Sequence, residues 1–379
     1  LSGAQVAADK LVLKVGDNRA EIDFQIANLF DQPIRMTSLL RSERFLLDPL
    51  LKTGSSRSSG NAEKGTAGKQ PAGKPSVEEI GPFDLPVELK GEVRIGQTLY
   101  RGLALEDFLL RYRLVNNVFT LEEMTGKMAG GTFREEATVD LGKKGLVYSG
   151  TLNLSGVQAD PLLTALMPDA AGTVLGGLSL DTKFSGRGTL AESIRKNLSG
   201  KGNLELADGR LSAVPIMQGL ANFLRLEELR DLYFSGAKGN YTLQNGKILL
   251  QSQVTGNDVT MSPTGSVGLD GSLDLQLGAR LAPRLAAKLD RKGEISQLFT
   301  AQDGWTELPM QVAGSWSKPK LSLDTTAVTS KITEKAVSRL QQKLEEKAKK
   351  RQAEGTDDKS TQDPTKELIN DALKGLFGK

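Results

Sequence analysis

The sequence contains no cysteine and no histidine. Disulfides, thiol catalysis and Ser-His-Asp chemistry are therefore excluded, and so are zinc sites of the usual His/Cys kind. Aromatic residues make up only 5%, although aromatics normally supply the largest buried areas. Hydrophobic residues reach 38%, little for a thick core. No stretch approaches the roughly 18 consecutive apolar residues of a membrane-spanning helix. Charge of one sign is also lacking: a net +3 over 379 residues predicts no nucleic-acid partner. What is abundant is glycine, at 41 residues. Sparse apolar content with many glycines suits a thin, turn-rich sheet, and the length allows two or three domains.

Between Gly172 and Thr325 the chain reads as short amphipathic strands. Leu204 and Leu206 alternate with polar or small neighbours, as do Tyr241 and Leu243. Ile248, Leu250 and Val254, then Leu273, Leu275 and Leu277, then Leu308, Met310 and Val312 continue the pattern. A period of two places each apolar set on one face and leaves the other wet. This predicts antiparallel sheet with one solvated side. Asp208-Gly209, Asn245-Gly246 and Asp270-Gly271 are read as hairpin turns between the runs.

The pattern divides the chain. Residues 1–51 form a first β repeat ending in Asp48-Pro49-Leu50-Leu51, and residues 52–79, rich in Ser, Gly, Ala and Lys, read as a disordered linker. Residues 80–171 form a second β repeat, in which Asp160-Pro161-Leu162-Leu163 echoes the first block. Residues 172–325 are the main β region. Short helices are expected over Thr189 to Leu198, Pro215 to Leu229 and Leu281 to Leu289. Residues 326–379 read as an amphipathic helical tail, in which Val328, Ile332, Ala336, Leu340, Leu344 and Ala348 recur every fourth position. That tail would dock on the sheet or a sister chain, or its last helix would lie on a membrane surface.

Gly186-Arg187-Gly188-Thr189-Leu190-Ala191 is formally a dinucleotide fingerprint, with Glu205 and Asp208 at the spacing of a ribose contact. A doubly wound strand is buried on both faces, whereas Leu178, Leu180, Thr182 and Phe184 alternate with polar residues. The fingerprint is rejected on that ground. Ser193-Ile194-Arg195-Lys196 matches S-x-x-K, but Lys52-Thr53-Gly54 precedes it in reversed order. Glu122-Glu123, Glu135-Glu136 and Glu227-Glu228 are adjacent, and neighbours on a strand point to opposite faces. No catalytic, cofactor-binding or metal residue is assigned, and enzymatic activity is not expected.

A set of motifs in fixed order carries a resemblance: Asn197 to Gly202, Leu206-Ala207-Asp208-Gly209-Arg210-Leu211, the helical segment from Pro215, Tyr241 to Ile248, and Leu308 to Leu321. Together they resemble the C-terminal region of the AsmA family of bacterial envelope proteins, which is related to TamB-type and bridge-like lipid-transfer proteins. Pro82 to Pro168 is similar to the repeat that precedes that region in the family. The resemblance implies an elongated, curved or grooved sheet in the periplasm, an inner-membrane anchor upstream of Leu1, and phospholipid movement between inner and outer membranes.

The many aliphatic stripes have few helices and aromatics to cover them. Two readings follow. The sheet curls over itself with helices as plugs, or acyl chains occupy the trough. At about 0.8 kcal/mol per buried methylene, a roughly 16-carbon chain contributes about 12 kcal/mol before costs. Candidate lining residues are Leu204, Leu206, Tyr241, Leu243, Ile248, Leu250, Leu273, Leu275 and Leu277. Phospholipid is the expected partner, with an outer-membrane or envelope protein as a further one. A structural module that assists outer-membrane protein assembly and holds no lipid is the rival.

Overall fold

The computed structural model describes residues 4–48, 78–289 and 299–330, with isolated positions up to 346. The expected linker (apart from its last two residues) and most of the expected tail lie outside the described residues; residues 325–330 are helical. Sixteen strands form one open sheet in which every strand lies beside its neighbours in sequence. They are β1 Val6–Val15, β2 Asn18–Ala27, β3 Ile34–Arg44, β4 Val87–Tyr100, β5 Leu103–Val115, β6 Val118–Met128, β7 Gly131–Asp140 and β8 Val147–Gln158. Then follow β9 Val174–Arg187, β10 Ser199–Ser212, β11 Asp231–Gln244, β12 Lys247–Thr255, β13 Val259–Gly268, β14 Ser272–Leu281, β15 Thr306–Ser315 and β16 Lys318–Leu323. Among the described residues, four helices lie between them: α1 Ala159–Leu166, α2 Ala191–Asn197, α3 Pro215–Leu224 and α4 Pro283–Leu289. The fold is mostly β, as the alternation predicted, and one sheet runs through all three expected β blocks.

All pairings are antiparallel except β3 with β4, which is parallel. Asp48 accepts from the Gly102 N–H at 2.9 Å, beside the far end of β4, whereas the chain re-enters at Glu78 near the opposite rim. The second Asp-Pro-Leu-Leu string behaves differently. It opens α1, and β9 returns antiparallel to β8. The two strings therefore share a sequence but not a crossover.

Register aligns the apolar residues across the whole sheet. One transverse row runs Ala8, Phe24, Ser38, Gly91, Tyr112, Leu121, Ala137, Gly150 and Phe184. It continues through Gly200, Leu243, Ile248, Val267, Leu273, Gly314 and Pro319. Opposed residues share a face, so every strand presents its apolar set to the same side, called here the inner face. Glycines alternate with rings along this row for a steric reason. A Cβ on Gly91 would stand 2.4 Å from the Tyr112 ring, and one on Gly150 would stand 2.8 Å from Phe184. Large rings thus lie flat over neighbouring glycines and do not project into the trough.

Two features depart from the sequence reading. Asp208-Gly209 is not a turn; β10 runs through it to Ser212. Asp208 adopts a φ of 46°, and the register to β9 shifts between Ala207 and Arg210, so the pair forms a bulge. Val259–Gly268, to which no strand is assigned above, is a central strand despite Pro263 and Gly265. The sheet accommodates it locally: pairing to β12 skips from Thr264 to Met261, so the proline's missing N–H falls in a gap of the ladder.

The two long rims differ. Among described residues, α1, α3 and α4 all leave from the rim where β8, β10 and β14 end, and they fold onto the inner face. The other rim carries tight turns, the short α2, and an extended strap of residues 78–86. The strap is bonded at Gly145 N–H to Ile80 C=O (2.7 Å), Phe83 N–H to Leu141 C=O (2.9 Å), Leu85 N–H to the Asn117 side chain (2.7 Å) and Ile34 N–H to Pro86 C=O (2.9 Å). It thereby ties the ends of β3 through β9 together.

Candidate functional site

The inner face is the candidate site, and its cover is uneven. At the β13–β16 end α3 buries Met217, Leu220 and Ala221 against Leu273, Leu275, Leu277, Leu308, Met310 and Val312. The turn after α3 adds Leu226 and Leu229, and α4 adds Leu285. Pro at the first turn of α3 is tolerated there, and Arg225 in the left-handed region ends the helix. This end is a closed core. Aliphatic stripes that suggested an unroofed surface are roofed here, by the helix that the sequence located without revealing its seat. A smaller cover sits midway, where Leu162 and Ala165 of α1 pack on Leu103, Leu105, Phe133, Leu154 and Val157.

Elsewhere no second layer of described residues lies on the face. Val6 and Leu11 are 46% and 50% exposed, and Leu204 is 40% exposed. Tyr112, Phe119, Leu152, Phe184, Tyr241, Leu243 and Ile248 are half-buried, shaded by the sheet itself. Fifteen inter-strand steps of about 4.8 Å give the face a length of roughly 70 Å.

All predicted lining residues fall on this one face, because Leu204 opposes Gly239, Tyr241 opposes Leu250, and Leu250 shares Gly265 with Leu275. The register brings them together, but accessibility divides them. Leu204, Tyr241, Leu243 and Ile248 stand on the uncovered floor. Leu206, Leu273, Leu275 and Leu277 are buried in the plug, and Leu250 packs at its margin. The floor contributed by β4 to β9 (Leu110, Tyr112, Met124, Leu152, Phe184) was not selected from sequence, although its alternation carries the same signal.

Electrostatics separate the faces. Outside, Glu92 accepts from Arg94 and from Arg111 at 2.9 Å, Arg111 reaches Glu123 at 2.8 Å, and Glu123 accepts from Arg134 at 3.0 Å. This ladder crosses four strands, and hydrogen bonds from the two arginines hold the Glu92 carboxyl below the usual range. The bulge at Glu122-Glu123 puts both carboxylates among the arginines of this face, so they do not alternate as strand neighbours normally do. Glu135 and Glu136 do alternate. Glu136 pairs with Arg134 at 2.9 Å, and Glu135 points inward between Met124 and Leu152. Among the described strands Glu135 is the only carboxylate on the inner face, and burial pushes its carboxyl up.

The motifs that mimic enzymes are engaged structurally. Glu79 accepts from the Thr189 N–H and hydroxyl, both at 2.5 Å, and from the Ser193 hydroxyl. The chain's own carboxylate thus fills the space that a phosphate would take beside the Gly186-Arg187-Gly188 string. The same contacts, led by Ser193, lower the Glu79 carboxyl from its ordinary 4.5 to about 2. Ser193 therefore acts as an anchor of the strap. Among the described residues no cluster of His, Cys, Asp or Glu is arranged to hold a metal ion, and no helix is long and apolar enough to cross a membrane.

No curated protein and no solved structure gives a significant match to this chain. A family model does: the one described as AsmA family matches residues 20–252. The matched span starts in β2 and ends in β12, so it takes in the uncovered floor and stops short of the Leu308–Leu321 motif. Covering well over half of the sequence, the match establishes that the chain belongs to the AsmA family.

Proposed function

We propose that this chain is the periplasmic part of an inner-membrane-anchored protein that holds phospholipid acyl chains in its trough and supports their passage between the inner and outer membranes. The observation that carries this reading is the register: sixteen strands keep their apolar residues on one face, and over most of that face no layer of described residues lies. Exposed apolar area on this scale calls for an occupant. A hydrocarbon chain meets that need without specific hydrogen bonds, which the floor lacks. Membership of an envelope-associated family is consistent with the assignment. The protein acts as a carrier, not an enzyme, and takes no cofactor.

A second reading, a lipid-free module that aids assembly of outer-membrane proteins, is favoured by one observation, the closed core under α3. The two separate on lipid content. The chain is purified from membrane-containing cells, extracted, and its lipids are quantified by mass spectrometry. The carrier reading expects near-stoichiometric phospholipid, lost by tenfold or more in a Leu243→Glu, Ile248→Glu variant that stays folded by circular dichroism. Lipid-free wild-type protein would favour the scaffold.

A further inference from the structure

Glu135 sits near the middle of β7, at mid-depth of the trough, on the transverse row Leu110, Met124, Glu135, Leu152 and Thr182. Along its own strand it lies between Phe133 and Ala137. Its side chain is half-buried and makes no hydrogen bond or ion pair with a described residue, whereas the other carboxylates of the described strands face outward, many of them onto arginines or lysines. Such a group is costly where it stands. The neighbouring elements offer it no counter-charge. On β6, Glu122, Glu123 and Lys127 face outward; on β7, so do Arg134 and Glu136; on β9, so do Asp181 and Lys183. Asp160 of α1 is engaged by the Gly172 N–H at 2.6 Å. The other titratable groups on this part of the inner face are the phenols of Tyr112 and Tyr148.

No described residue therefore supplies a cation that would neutralise Glu135. An ammonium group needs several good acceptors; Leu152, Phe133 and Ala137 supply none from their side chains, and Met124 offers only a weakly accepting thioether sulfur. A proton needs only the carboxyl itself. Hydrocarbon laid over the floor would strip away the remaining water and disfavour the charged form further.

We propose that Glu135 is the ligand-linked protonation site of the trough: an acyl chain lies across β6 to β8 more tightly when this carboxyl carries a proton, so that loading is coupled to proton uptake. The inference rests on the acyl-chain reading above and gives it a pH dependence. Raised already in the empty trough, the carboxyl rises again on loading. Between the two values the affinity falls as pH rises, by about tenfold per pH unit for one linked proton. Below the lower value and above the higher one it is flat.

The test uses lysophosphatidylcholine below its micelle concentration, a probe with no titrating group between about pH 5 and 9. Binding to wild type, Glu135→Gln and the outward-facing control Glu136→Gln is measured by calorimetry across that range, in buffers of different ionisation heat. The expected result is weaker binding with rising pH and net proton uptake in wild type and Glu136→Gln. In Glu135→Gln, affinity should be independent of pH and uptake absent. If Glu135→Gln keeps the wild-type pH profile while binding the probe, the proton linkage is overturned and the trough reading stands. If none of the three binds at any pH, both are overturned.

Discussion

At the scale of single residues, the trough depends on what its floor lacks. Gly150 opposes Phe184 across the β8–β9 ladder, and a Cβ there would also stand 2.5 Å from the Glu136 carbonyl. Gly150→Ala should therefore overpack the floor and cost about 1–3 kcal/mol in urea unfolding. Gly177→Ala, with nothing within 4 Å of the added carbon, should leave stability nearly unchanged. Glu79 gives a pH prediction. Its folded value of about 2 lies below the ordinary 4.5, so the stabilisation is complete above about pH 4.5 and disappears as pH falls toward about 2. Glu79→Gln should melt below wild type at neutral pH, and the gap should close over that acid window. Melting temperatures by circular dichroism from about pH 6 to pH 2.5 check this. A constant gap would show that the strap is not held by the ionised carboxylate.

At the scale of elements, the contrast between α3 and the open strands divides the face. Leu220 is fully buried between α3 and the sheet, so Leu220→Ala should cost about 2–5 kcal/mol. If the plug is a separate cover over β13 to β16, the same variant should also bind more of an apolar dye in native conditions. An unchanged dye signal would mean that the cavity stays shut. How far the elements were legible follows from their patterning. Leu273, Leu275 and Leu277 alternate cleanly, and the strand is where they predict it. Val259–Gly268 was hidden by Pro263, whose missing donor is harmless only because the ladder to β12 is broken beside it. Asp208-Gly209 carried a real signal for positive φ, but that conformation serves a bulge as well as a hairpin. Helix Pro215–Leu224 was legible as a helix; its docking on Leu273 and Met310 was not, because that contact joins distant parts of the chain.

At the scale of the molecule, one parity decision repeated over sixteen strands makes a face roughly 70 Å long. The parity of most strands could be read from the sequence, Val259–Gly268 excepted. That all strands share one side could not, because it depends on hairpin registers and on the parallel β3–β4 step. Glu135 shows the same limit. Its parity with Phe133 and Ala137 was visible, but its isolation among apolar neighbours appears only when β6 and β8 are set beside it.

The central claim is that lipid lies on the inner face and not the outer one. The most direct measurement places a photo-crosslinking amino acid at single positions in the chain as expressed in cells. Leu243, Ile248 and Leu110 report the open floor, and Thr242, Leu249 and Gln251 report the back of the same strands or their neighbours. After irradiation, mass spectrometry should find phospholipid adducts at the first three positions and none at the others. Adducts spread equally over both faces, or absent from the floor, would contradict the account.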